Sequence, residues 1–281
     1  MSPKSPIPPM QILEQSVIAK TTEKKSEDGI VVTDNFIAVI DGSTSKTNLR
    51  YRLRSSNGRF AMELVASFLR KAPKEMSCHQ FCTGVTRHVR RQYTSLKARF
   101  AGINLQRLAY HPEERLTASA AIFSRMRREI WLVGDCQCLV GGTPYDNPKP
   151  SESLLAQQRA DIILSSPQPH DHFLLHDTAR EAILPALIES MKQQNVTYAV
   201  IDGFPIPEQH VRIITLDFQP WEIVLATDGY PFLCPTLDES EQRLSRQLHD
   251  DPLNIGAFKA TKAFMQGQKS FDDRAYIRFN V

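Results

Sequence analysis

With 281 residues and 41% hydrophobic content, the chain can bury a sizeable core as one large domain or two small ones. Its 34 Lys and Arg against 31 Asp and Glu leave a net charge of +3, too small by itself to argue for nucleic acid or an anionic membrane as a partner. No apolar run reaches the roughly 18 residues of a membrane span, and the proline-rich start from Met1 to Pro9 lacks the apolar segment of a signal peptide, so the expectation is a cytoplasmic protein without membrane or nucleic-acid partner. Five cysteines (Cys78, Cys82, Cys136, Cys138 and Cys234) are an odd number and form no paired Cys-x-x-Cys clusters, which points to reduced thiols rather than a structural zinc site.

Residues 1–10 read as a flexible proline-rich tail with little to bury, and 11–281 as a single domain without linker or repeat. Gly29-Ile-Val-Val-Thr33 and Phe36-Ile-Ala-Val-Ile40 read as two strands joined at Asp34-Asn35, an antiparallel pair. From Gly58 the period changes to that of a helix, with Phe60, Leu64 and Phe68 on one stripe ending before Pro73. Phe81, Val85, Val89, Leu96 and Phe100 extend helical spacing through a second, longer helix. Strands return at 116–123, 129–133 and 137–140, followed by helices at 151–164 and 177–194, where Pro185 predicts a boundary or a kink. Strands at 198–201, 211–216 and 222–226, helices at 237–250 and 252–267, and a strand at 275–279 complete the chain. Short turns between neighbouring strands predict an α+β fold of two face-to-face, mainly antiparallel sheets flanked by helix pairs.

Two of these strands share an ending. Phe36-Ile-Ala-Val-Ile-Asp-Gly42 and Glu222-Ile-Val-Leu-Ala-Thr-Asp-Gly229 each deliver a carboxylate and then a glycine, which lets the backbone turn tightly or approach an ion. Glu27 or Asp28 precedes the first strand, Asp135 lies in the 134 turn, and Asp272 or Asp273 precedes the last strand. Each alone reads as a turn or cap residue. Brought together they would repel one another unless cations compensated, and all-oxygen sites select magnesium or manganese, a pair of which can clamp a phosphoryl group.

In order along the chain, Glu27-Asp28, Val39-Ile-Asp-Gly42, the helix from Gly58, Thr117-Ala118, Gly134-Asp-Cys-Gln137, Ala226-Thr-Asp-Gly229 and Ser270-Phe-Asp-Asp273 resemble the motifs of metal-dependent protein serine/threonine phosphatases of the type 2C class. The resemblance spans residues 26–281. It implies a sandwich of two sheets flanked by helices and two Mg2+ or Mn2+ ions with a third possible. Asp41 would bridge the ions, with Glu27 and the Gly42 carbonyl on one, Asp228 and Asp272 on the other, and Asp135 near the third; Asp28 and Asp273 are the neighbours that take these roles if the register shifts by one. The implied catalytic set is Asp41, Asp228 and Asp272, acting through a metal-activated water on a phosphoserine or phosphothreonine protein, and the expected state is a monomer.

The chain also departs from the family. Ser43-Thr-Ser-Lys46 replaces its glycine- and histidine-containing continuation, removing the general acid that histidine would supply. Its phosphate-binding arginine is absent; Lys24 and Lys25 are the nearby cations, without the bidentate fork of arginine. Gln137 stands where the family often has arginine. Two competing readings follow: a catalytically weak or inactive phosphatase-like binding module, and a metal-dependent hydrolase of small phosphorylated metabolites. The basic runs 86–91 (with Lys97 and Arg99) and 125–128 read as solvated faces, the histidines His170, His172 and His176 as a polar loop, and Cys136 as buried and inert.

Overall fold

The computed structural model describes residues 10–95 and 102–281. The proline-rich start up to Pro9, and the expected run of the second helix through Leu96 and Phe100 with Lys97 and Arg99, lie outside the described residues.

Ten strands form two antiparallel sheets of five. One has the order β1 (Gln11–Ile18), β10 (Arg274–Asn280), β9 (Glu222–Ala226), β6 (Gln137–Val140), β7 (Thr143–Tyr145); the other runs β2 (Gly29–Val32), β3 (Phe36–Gly42), β4 (Ala118–Ser124), β5 (Glu129–Val133), β8 (Arg212–Thr215). Period-two alternation explains the layering. Ile37 and Val39 of β3, Ala121 and Phe123 of β4, Ile223 and Leu225 of β9, and Ile277 and Phe279 of β10 meet in one core between the sheets. Their alternates Ala38, Ile40, Ala120 and Ile122 face outward into a second core, shared with α1 (Asn57–Leu69) and α2 (Cys78–Tyr93). Val224, Ala226 and Tyr276 turn outward on the other sheet and pack with Tyr230 and Leu237, where α7 (Leu237–Asp250) begins. Strands covered on both faces lose their polar alternation, which is why they read as continuous apolar runs.

The short helix α3 (Leu105–Tyr110) follows α2. Between β7 and β8 the chain leaves the sheets to form α4 (Glu152–Ser165), α5 (His170–Leu175) and α6 (Thr178–Met191). Ile163, Phe173 and Ala179 from these helices share a small core with Leu253 and Ala263. Buried Arg159 joins the two parts, pairing with Asp177 at 2.8 Å and donating to the carbonyls of Leu253 (2.8 Å) and Ala260 (3.1 Å).

The expected α+β sandwich is the observed architecture, with three local corrections. No helix covers 252–267: Asn254 sits at φ +54° and Ile255 bridges to Lys259, while Asp251 accepts from the N–H groups of Ile255 and Gly256. The apolar spacing there fills a core from a loop. Residues 198–201 form no strand, only two isolated bridges, Tyr198 to Gln194 and Ile201 to Ala118, while the Asn195 side chain takes the N–H of Val200. Pro185 lies inside α6, which continues past it. No helix among the described residues is long and apolar enough to cross a membrane.

Candidate metal centre

Three strand ends deliver carboxylates to one place. Asp41 is the penultimate residue of β3, opposite Ser119 of β4 in register. Asp135 lies in the turn from β5 to β6, which Gly134 makes possible: its φ is +84°, and a Cβ there would lie 2.2 Å from Ser119 Oγ. That hydroxyl donates to Asp135 Oδ1 at 2.6 Å. Asp228 follows β9, where Thr227 is clamped to β10 by its N–H to the Ala275 carbonyl (3.0 Å) and its Oγ1 from the Ala275 N–H (2.8 Å). Gln137 braces the same turn, donating to the carbonyls of Thr227 (3.2 Å) and Tyr230 (2.7 Å). One oxygen each from Asp41, Asp135 and Asp228 lies within 4.8 Å of the others, the one such grouping of potential metal ligands among the described residues. Asp41 and Asp228 line a cavity of about 290 Å³, as do Ser119 and Lys149, the two partners of Asp135.

The electrostatics of these acids differ. Burial pushes Asp41 well above the usual carboxylate range, and the charges of Asp228, Asp28 and Asp135 push it further. Burial and Asp135 also raise Asp228. Asp28, just before β2, is 3% exposed with Oδ2 lacking a hydrogen-bond partner. Burial lifts it to about 8, with Asp228 and Asp273 adding to the rise and hydrogen bonds to Thr227 and Asp41 opposing it. Burial would raise Asp135 too, but Lys149, whose Nζ donates to Oδ2 at 2.5 Å, holds it below its ordinary value together with Ser119. An all-oxygen donor set, an orphaned buried oxygen and carboxyls driven up by one another fit a hard divalent cation.

The other sequence-predicted positions spread around this trio. Glu27 is buried, its Oε2 accepting from Thr44 Oγ1 at 2.5 Å, and Gly42 packs backbone to backbone on Gly58. Both line the cavity without joining the trio. Asp272 accepts from Lys20 Nζ at 3.1 Å on one oxygen and pairs with Lys262 on the other. Asp273 accepts the N–H groups of Lys20 and Glu27, both at 2.7 Å, and so ties that segment to the start of β10. Lys24 and Lys25 are exposed and outside the cavity lining. The cations that do line it are Lys20, Lys46, Lys149, Arg180 and Lys262. Sequence reasoning missed these as a set, since isolated basic residues on different segments carry no pattern; only the altered segment ending at Lys46 gave a signal.

The weaker features resolve structurally. Cys78, Cys82 and Cys136 are buried free thiols. Arg128, expected in an exposed turn, is 3% exposed and donates to the carbonyls of Asp217 and Gln219, each at 2.7 Å.

No family model matches the chain, and no curated protein does. Among solved structures it is similar to PppA, described as a key regulatory component of T6SS in Pseudomonas aeruginosa (14% identity, 97% of this chain and 98% of that one, TM-score 0.49). It is also similar to the catalytic domain of the serine/threonine protein phosphatase PstP in complex with 2 manganese ions (10% identity, 97% and 99%, TM-score 0.47) and to RsbX in complex with magnesium (12% identity, 96% and 98%, TM-score 0.45). These likenesses concern the course of the chain; its chemistry is read from its own cavity.

Proposed function

We propose that this protein is a metal-dependent phosphomonoester hydrolase acting on phosphoserine or phosphothreonine in proteins. The supporting observation is the approach of Asp41, Asp135 and Asp228 within 4.8 Å of one another, Asp41 and Asp228 lining a cavity that is also lined with cations. Asp41 and Asp228, with Glu27 and the Gly42 carbonyl alongside, would hold Mg2+ or Mn2+; two ions and a third near Asp135 are the proposed complement. Asp28 and Asp273 shape the same wall, Asp28 holding a proton at neutral pH until a cation relieves it. Asp272 serves as a ligand on release from Lys20 and Lys262. When bound, such ions supply charge neutralisation and a water acidic enough to attack phosphorus. The lysines and Arg180 face the phosphoryl oxygens. Manganese-stimulated, chelator-sensitive phosphate release from an aryl phosphate, lost in Asp41→Asn and in Asp228→Asn, is the expected result; unchanged turnover in both variants refutes the proposal.

A second reading, a phosphatase-like module with little or no hydrolysis, draws support from Lys149 on Asp135 and from Lys20 and Lys262 on Asp272, where ammonium groups already neutralise two acids of the cavity. A protein that folds but binds no divalent ion at millimolar concentration decides for this module.

A further inference from the structure

Five cations line the cavity, and their charges are not equivalent. Lys149 is matched by Asp135, while Lys20 and Lys262 share Asp272. Lys46 and Arg180 have no carboxylate at ion-pair distance among the described residues. Lys46 Nζ donates to the Thr44 carbonyl at 2.7 Å, and the Arg180 guanidinium donates to Thr261 through its carbonyl and, at 3.1 Å, its hydroxyl. Both contacts are to neutral oxygens, so neither cation of the cavity is paired with a carboxylate, the charge of Asp177 acting on Arg180 only from farther away.

We infer that Lys46 and Arg180 form the phosphate-binding pair of this cavity, taking the dianionic phosphoryl group of a phosphate monoester between a point charge and a guanidinium fork. The inference rests on the proposed hydrolase reading for its substrate class. Arg180 is anchored by Thr261 and positioned near the start of α6, whose N-cap is Asp177. Lys46 comes from the segment that follows Asp41 and Gly42, and Arg180 from the excursion between β7 and β8, so two parts of the chain distant in sequence supply the pair. Guanidinium and ammonium groups are complementary to phosphate oxygens, and charge-assisted bonds of this kind are the stronger class. The Lys46 ammonium is disfavoured by burial and by Arg180, Lys262, Lys149 and Lys20, which together bring it down to about 7. The field that expels a proton there attracts an anion.

Calorimetric titration of inorganic phosphate into the manganese-loaded protein tests this, with manganese affinity measured on each variant. Lys46→Gln and Arg180→Gln are expected to weaken phosphate binding by about tenfold or more, the scale of a charged hydrogen bond, while leaving manganese affinity unchanged. Arg180→Lys is expected to recover part of the loss. Unchanged phosphate affinity in both Gln variants overturns the pair, and the hydrolase reading survives that result if manganese binding and turnover persist. If the wild type binds no manganese, the hydrolase reading fails instead; phosphate titrated into the metal-free protein then judges the pair, whose own charges predict binding that Lys46→Gln abolishes. Should Arg180→Gln misfold for want of its Thr261 bonds, Lys46→Gln decides alone, since its ammonium donates only to a carbonyl two residues away.

Discussion

Lys149 and Lys46 line the same cavity and meet opposite fates. Lys149 is held charged because Asp135, Glu152, Asp41 and Asp228 outweigh the cost of its burial. Lys46 has cations for neighbours, and burial adds to their repulsion. Its folded pKa of about 7 lies below the 10.5 of an unhindered lysine, so between those values the unfolded chain binds the additional proton and stability rises with pH. Below about 7 the penalty is complete. Lys46→Met is therefore expected to raise the melting temperature at pH 6, with the gain shrinking as the pH approaches 9; a gain that grows toward pH 9 contradicts the assignment. Asp41 and Asp228 were legible in the sequence because a buried strand ending in Asp-Gly is a local pattern. Lys149, Arg180 and Lys262 were not, because each acquires its meaning only from a carboxylate or cavity wall brought to it by distant segments.

At the scale of elements, the end of β3 is pressed onto the first turn of α1. A Cβ at position 42 would lie 2.1 Å from the Gly58 carbonyl oxygen, and one at 58 would lie 2.4 Å from that of Gly42. Backbone on both sides leaves no flexible side chain to yield. Gly42→Ala is expected to destabilise the protein by about 1–3 kcal/mol, the usual cost of overpacking, and to weaken manganese binding by shifting Asp41. Urea unfolding and calorimetry check both effects; a wild-type midpoint with wild-type affinity contradicts the packing argument. The elements that sequence reasoning found, β3, β9 and α1, carry apolar periods of one kind throughout. β1 was missed because Gln11–Ile18 alternates exposed and half-buried residues at a sheet edge beside β10, too polar to stand out. The helix expected at 252–267 is a loop: Leu253, Ile255, Ala263 and Met265 fill a small core without helical spacing, and the Asp251 carboxylate takes the N–H groups of Ile255 and Gly256.

Across the whole molecule, two sheets fix the acids, while the cavity's cations come from several segments: Lys20 after β1, Lys46 after β3, Lys149 and Arg180 from the excursion between β7 and β8, and Lys262 from the loop after α7. Beside the apolar core they share, the fully buried Arg159 joins the excursion to the 252–267 loop, bound to Asp177 and to two carbonyls. Removing one partner of a buried pair strands the other charge, so Arg159→Met is expected to cost about 3–5 kcal/mol in urea unfolding. A loss below 1 kcal/mol in that experiment, on the scale of an exposed ion pair, contradicts the role given to Arg159. The sheets were legible from alternation and turn spacing; the way the excursion packs was not, since a small apolar core and the bonds of Arg159 and Arg180 join it to residues far away in sequence, with no local signature. The account as a whole depends on the cavity caging divalent ions through Asp41 and Asp228, and titration of manganese into the metal-free protein, followed by calorimetry, tests that directly. Saturable binding that Asp228→Asn abolishes in a folded variant is the predicted result. Absence of binding at millimolar manganese, or binding indifferent to that substitution, would contradict it.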